Sequence, residues 1–185
     1  MAQFLLLRDE VIKNMTKANK EEINEIYEFY KYIVEYMDTH GLKLGWDIDK
    51  YPDITFVTEM VNQGDMFIMR DNGMIICAAA VNHNVNPEYD DIDWVIKGPR
   101  EKISSIHALA VSPEYRSQNV SDNFLKEIED YCRENGDLAI HFDVIDFNTP
   151  AYKLYMRNGY TDLGAIEMYY EVVGYKNFYM LEKVL

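Results

Sequence analysis

The sequence predicts one α/β domain over residues 1–185, and three observations carry that prediction. An apolar run of strand composition ending at Val111 breaks at Ser112-Pro113 and crosses a polar segment, residues 116–121. It then enters an amphipathic helix with Phe124, Leu125, Ile128, Tyr131 and Cys132 on one face. A second helix is marked by Ile23, Ile26, Tyr27, Tyr30, Ile33, Val34 and Met37 at helical spacing. Two strand-like runs, residues 66–70 and 74–81, flank Asp71-Asn72-Gly73, which is a hairpin signal.

In chain order, residues 4–7 or 11–15 supply a first strand, and residues 16–19 start the first helix, with Glu21 and Glu22 where the helix dipole favours them. Gly41 ends that helix. Residues 42–52 carry Trp46 and Tyr51 in a connection too irregular for a regular element, and residues 53–63 form a short helix closed by Gly64. After the hairpin, residues 89–96 are either a third strand or an irregular excursion. Gly136 caps the central helix, and residues 138–145 alternate as a strand with Ile140, Phe142 and Val144 opposite His141 and Asp143. Pro150 suits a first helical turn, Gly159 ends that short helix, and two strands near residues 161–173 and 175–184 turn at Gly174.

Composition narrows the partners. A chain of 185 residues with 48% hydrophobic content can bury one core. A formal net charge of -14 argues against nucleic acid, which needs clustered cations to neutralise phosphate. The same charge attracts a cationic acceptor, or simply keeps the protein in solution. Cys77 and Cys132 sit in apolar patterns and read as reduced core residues, and no Cys/His spacing suggests a metal. The apolar run at residues 1–7 is shorter than a signal peptide and no run has membrane-spanning length, so a cytoplasmic protein with no membrane partner is expected.

Two segments carry a family resemblance. LAVSPEYRSQNVSDNFLKEIEDYCRENG resembles the pyrophosphate-binding segment of the GNAT superfamily, the acetyl-CoA-dependent N-acetyltransferases. That family's motif is Arg/Gln-x-x-Gly-x-Gly/Ala after a strand ending in a Val-x-Pro-like turn, and the matching residues here are Arg116, Asn119 and Ser121. The arginine is kept and both glycines are replaced. Asn tolerates positive φ and Ser is a good cap, so the loop shape can survive, while Asp122 sets a carboxylate where an anion would lie. The second segment, Asn148-x-x-Ala151-x-x-x-Tyr155-x-x-x-Gly159-Tyr160, is similar to the other GNAT signature and is intact.

The resemblance implies the GNAT fold: a central mixed, mostly antiparallel sheet with a V-shaped split between two parallel strands, flanked by helices. Those strands would be residues 103–111 and 138–145. It implies acetyl-CoA as co-substrate, held by Leu109, Ala110 and Val111 at the split, by Arg116, Ser117, Gln118, Asn119, Val120 and Ser121 at the phosphates, and by Asn148 and Tyr155. Tyr155 would hydrogen-bond or protonate the leaving thiolate, and Asn148 is equally a helix cap. His107, on one strand face with Leu109 and Val111, is the first candidate for the base; His141, Asp143 and Asp146 are weaker ones, and water-mediated deprotonation needs none of them. The connection with Trp46 and Tyr51 is a substrate wall by resemblance and a packed loop on its residues alone. The implied reaction is transfer of an acetyl group from acetyl-CoA to a primary amine of a small molecule or peptide. A non-catalytic ligand-binding protein with a degenerate phosphate loop, or an oligomeric interaction protein such as a homodimer, remains open.

Overall fold

The computed structural model describes residues 14–115 and 119–185. Its elements run β1 (Thr16–Lys17), α1 (Ile23–Thr39), α2 (Ile54–Gln63), β2 (Met66–Asp71), β3 (Met74–Asn82), β4 (Ile103–Val111), α3 (Val120–Glu134), β5 (Ala139–Ile145), α4 (Thr149–Arg157), β6 (Thr161–Tyr170) and β7 (Gly174–Val184). The strands form one seven-stranded sheet in the order β1-β2-β3-β4-β5-β7-β6. Among the described residues only the β4–β5 pair is parallel; the others are antiparallel.

Helices cover both faces because alternate residues of each strand point opposite ways. On β2, Phe67 and Met69 join one core with Phe124, Leu125 and Ile128 of α3 and Leu154 and Tyr155 of α4. Met66 and Ile68 point the other way, against Ile26, Tyr30, Ile33 and Met37 of α1 and Val57 and Val61 of α2. Each such buried aliphatic or aromatic side chain stabilises the fold by about 1.5–3 kcal/mol relative to exposure. A third, smaller core joins Tyr89 and Trp94 to Ile145, Met168, Phe178 and Met180.

Helix ends and turns follow the sequence closely. Asn19 and Glu22 form a capping box ahead of α1, Asp53 accepts from Phe56 N to cap α2, and Gly64 closes α2 at φ 77°. The β2–β3 hairpin turns on Asn72 and Gly73, both at positive φ, as a tight two-residue turn requires. Cys77 and Cys132 are fully buried and free.

One local expectation changes and one open alternative is decided. Residues 16–17 are strand rather than helix start: Thr16 pairs with Ile68, and Ala18 N donates to Met66 O, so the helix begins only at the Asn19 cap. The alternative first-strand segments at residues 4–7 and 11–15 lie outside the described residues, apart from Asn14 and Met15. Residues 89–96 form no strand. Pro87–Asp91 is a 3-10 turn, and both carboxylate oxygens of the buried Glu182 accept the backbone N–H groups of Val95 and Ile96, each at 2.9 Å. Those amides are therefore satisfied without a strand partner.

The feature that positions the site is a break in β4. Ala108 has φ +50°, and the β3–β4 register slips between Ala78 and Ala80, so Ala108 and Leu109 together face one residue of β3. The bulge is held from below by Tyr30, whose buried hydroxyl donates to Ala108 O at 2.9 Å. It also reverses the alternation. Ile106, Leu109 and Val111 all lie on the α3/α4 side, whereas Ala108 and Ala110 join the α1/α2 core. His107 thus does not share a face with Leu109 and Val111, because the inserted residue flips everything after it.

Candidate active site

β4 and β5 pair only at Ile103–Ala139 and Ser104–Ile140, and then part. Beyond Ser104, the edge of β4 that faces β5 has no strand beside it among the described residues. A cavity of about 520 Å³ opens where they separate. Its walls come from every part of the chain: Trp46 and Tyr51 from the α1–α2 connection, Asn84–Asn86 and Tyr89 after β3, and His107–Leu109 at the bulge. Phe142–Ile145 of β5, Asn148, Ala151 and Tyr155 around α4, and Tyr170–Val173 at the β6–β7 hairpin complete it.

Tyr155 is placed by its helix. Asn148 caps α4, its side-chain oxygen accepting from Ala151 N at 3.3 Å, and one turn later Tyr155 packs against Phe142 and Tyr160 with ring centroids 4.4 and 5.3 Å away. Burial, and then the charge of Asp143, push its phenol well above the ordinary tyrosine range, so it keeps its proton. Asn148 thus caps α4 and also lines the cavity.

His107 also lines the cavity. Its Nε2 lies 3.1 Å from both Asn82 Oδ1 and Asn84 O, two acceptors, so Nε2 carries the proton and Nδ1 is the basic nitrogen. Burial lowers its pKa to about 4, which makes it a neutral ring and a weak base at neutral pH. His141 is committed elsewhere: it stacks on Trp94 at 3.9 Å and pairs with Glu182 at 2.9 Å, and it does not line the cavity. Asp146 is exposed and outside the cavity lining.

Asp143 is the inner acidic group of the cavity, with the exposed Glu171 also in its lining. Tyr89 and Tyr170 both donate their hydroxyls to its Oδ1, at 2.5 and 2.7 Å, and burial raises its pKa despite those bonds. Tyr51, Tyr89, Tyr155 and Tyr170 are all held protonated, first by burial and then by the Asp143 charge. The strand alternation placed Asp143 opposite Phe142 and Val144, but nothing in the sequence linked it to tyrosines 54 and 27 residues away.

Leu109 lines the cavity, Ala110 and Val111 continue β4 outside its lining, and the remaining candidates follow β4 in the sequence. Arg116, Ser117 and Gln118 fall outside the described residues. Asn119 takes the left-handed conformation at φ 58°, where the family motif has glycine, and leads into α3. Val120 is 1% exposed and fixed in the core, so only its backbone faces the helix entrance. Asp122 is neutralised. Arg157, from the end of α4, grips it with Nε to Oδ1 and Nη2 to Oδ2, both 2.8 Å, and Asn158 Nδ2 donates to Oδ1 at 2.8 Å. Arg157 chiefly holds the Asp122 carboxyl down at about 2. This clasp was missed in the sequence, although Arg157 and Asn158 stand inside the intact second motif. Ser121 Oγ is drawn into it, donating to Asp122 and accepting from Arg157 Nη2 at 3.3 Å.

A mixed sheet parted between its two parallel strands, with a capped helix beyond the split, defines the acetyltransferase class of α/β fold. Residues 21–160 match the model of the acetyltransferase (GNAT) family, and the chain belongs to that family. Among solved structures, a GNAT-family acetyltransferase from Streptococcus agalactiae is similar with TM-score 0.77 at 17% identity, covering 94% of this chain and 95% of that one. YncA of Salmonella typhimurium, described with its cofactor acetyl-CoA, is similar with TM-score 0.67 at 13% identity, over 95% and 94% of the two chains. Arabidopsis thaliana NAA60, in complex with a bisubstrate analogue, has TM-score 0.66 at 17% identity, over 94% and 97%. At these identities the likeness is one of fold. No match is found among curated proteins. No described helix is long and apolar enough to cross a membrane.

Proposed function

We propose that this protein transfers an acetyl group from acetyl-CoA to a primary amine of a small molecule or peptide. The observation that carries the reading is the parting of β4 from β5 beyond Ser104, into a cavity that the Ala108 bulge, Tyr155 and Asn148 all line. Bound there, acetyl-CoA supplies the activated acyl group. Backbone groups of Leu109, Ala110 and Val111 hold the pantetheine arm and donate to the thioester oxygen as charge develops on it, an effect commonly worth about 3 kcal/mol. The N-terminus of α3, entered through Asn119, Val120 and Ser121, receives the pyrophosphate together with Arg116, Ser117 and Gln118. The Asp122–Arg157 clasp keeps the carboxylate there from repelling it.

The incoming amine arrives as an ammonium and must lose a proton. Asp143, raised by burial, and His107, held at about 4, both line the cavity as candidate acceptors. Tyr155 keeps its O–H to hydrogen-bond the departing thiolate. The single chain acts as one domain, and its two buried free thiols suit a cytoplasmic setting.

Release of free thiol from acetyl-CoA across a panel of primary amines tests the reading. Amine-dependent release that collapses in Tyr155→Phe, with the fold retained, is expected. The replacement of both loop glycines favours a second reading, a GNAT-fold binding protein; ligand binding without any thiol release would select it.

A further inference from the structure

The two ends of the cavity differ in chemistry. Towards α4 the walls are Asn148, Ala151 and Tyr155, beside the opened edge of β4. Towards the β6–β7 hairpin they are rings around one carboxylate. Tyr89 and Tyr170 saturate Oδ1 of Asp143, and no side chain among the described residues is hydrogen-bonded to its Oδ2. Phenols that donate cannot also neutralise the charge, so Oδ2 is left to a donor that enters the cavity. Trp46 and Tyr51, nearly perpendicular with centroids 6.4 Å apart, line the same cavity as Tyr170, which packs on Phe178 at 4.8 Å. Ring faces attract a cation and repel an anion. At the rim the exposed Lys50 and Glu171 carry opposite charges and leave Asp143 to set the sign.

Resting on the acyl-transfer reading above, we infer that the acceptor is a small cationic primary amine. Its ammonium binds Asp143 Oδ2, and its apolar body lies between Trp46, Tyr51 and Tyr170. The rings of Trp46, Tyr51, Tyr89 and Tyr170 in these walls suit the body of an arylalkyl or aliphatic amine. The formal charge of -14 adds a long-range attraction for the same ligand.

Phenethylamine, a cation at neutral pH, and phenethyl alcohol, its neutral counterpart, are the probes. Each is titrated calorimetrically into the wild-type protein and into Asp143→Asn, and phenethylamine is also assayed for thiol release from acetyl-CoA. The amine is expected to bind the wild type at least tenfold more tightly than the alcohol, and Asp143→Asn to abolish that preference. In turnover, Asp143→Asn raises KM for the amine at least tenfold. Equal binding of amine and alcohol by the wild type overturns the inference, as does amine binding unchanged in Asp143→Asn, or no amine binding at all. If Asp143→Asn does not fold, the wild-type comparison decides alone. Thiol release with an unchanged KM removes the cation site and leaves acyl transfer standing. Cation-selective binding without thiol release from any amine does the reverse.

Discussion

Replacing Arg157 with alanine leaves a carboxylate uncompensated in the first turn of α3. Arg157 makes two 2.8 Å bonds to Asp122 and holds it at about 2, against an ordinary 3.8. A difference of that size corresponds to about 2.5 kcal/mol at most. The Arg157 side chain is 51% exposed, and solvent screening brings the figure to about 1 kcal/mol. For a chain of this length that lowers Tm by about 2–4 °C. The sign with pH is fixed: the folded-state value lies below the unfolded one, so the stabilisation is present above about pH 4 and is lost as pH falls through about 2. Thermal unfolding followed by circular dichroism, at pH 7 and near pH 2, measures both. Coenzyme A affinity should fall severalfold in Arg157→Ala, because the freed carboxylate repels the pyrophosphate. Adding Asp122→Asn to that variant should restore it. If Arg157→Ala changes neither Tm nor affinity, or if Asp122→Asn fails to rescue, the neutralising role of the clasp is refuted.

Other expectations follow from the same geometry. Tyr155→Phe keeps the ring between Phe142 and Tyr160, so Tm should move by under about 2 °C while kcat falls by about 10–100-fold, read in a thiol-release assay. His107 stays neutral down to about pH 4, so kcat/KM should show no ionisation near 6.5, and ring NMR signals of His107 should titrate well below that pH. Since its folded-state value lies below the unfolded one, stability should decline as pH drops from about 6.5 towards 4, less so in His107→Gln. Tyr30→Phe removes the donor that holds Ala108 O at the bulge. It should cost about 1–2 kcal/mol in chemical denaturation and weaken acetyl-CoA binding along with it.

The elements with strong periodicity were legible. The stripe from Ile23 to Met37, the Asn72-Gly73 turn and the alternation of Ile140, Phe142 and Val144 each report local geometry, and each is realised. The loop substitution was legible too, since Asn119 adopts the positive φ for which asparagine is suited. What escaped depends on pairs distant in the chain. The Ala108 bulge needs β3 as its reference, and without it the face of His107 cannot be read beyond that point. Glu182 satisfies Val95 and Ile96 from 87 and 86 residues away, a distant partner without which the sequence alone could not choose between strand and irregular excursion for residues 89–96. Asp143 and its tyrosines, and Asp122 with Arg157, are likewise side-chain meetings that only the sheet order β4-β5-β7-β6 and the packing of α3 beside α4 bring about.

The most direct measurement is calorimetric titration of acetyl-CoA into the wild-type protein, with Asn119→Gly/Ser121→Gly titrated alongside. Binding at micromolar affinity by the wild type, changed little by the two glycines, is expected if Asn119 already holds the loop in the shape the phosphates need. No binding by the wild type, with or without recovery in the glycine variant, would contradict the assignment of the β4–β5 split as an acyl-CoA site.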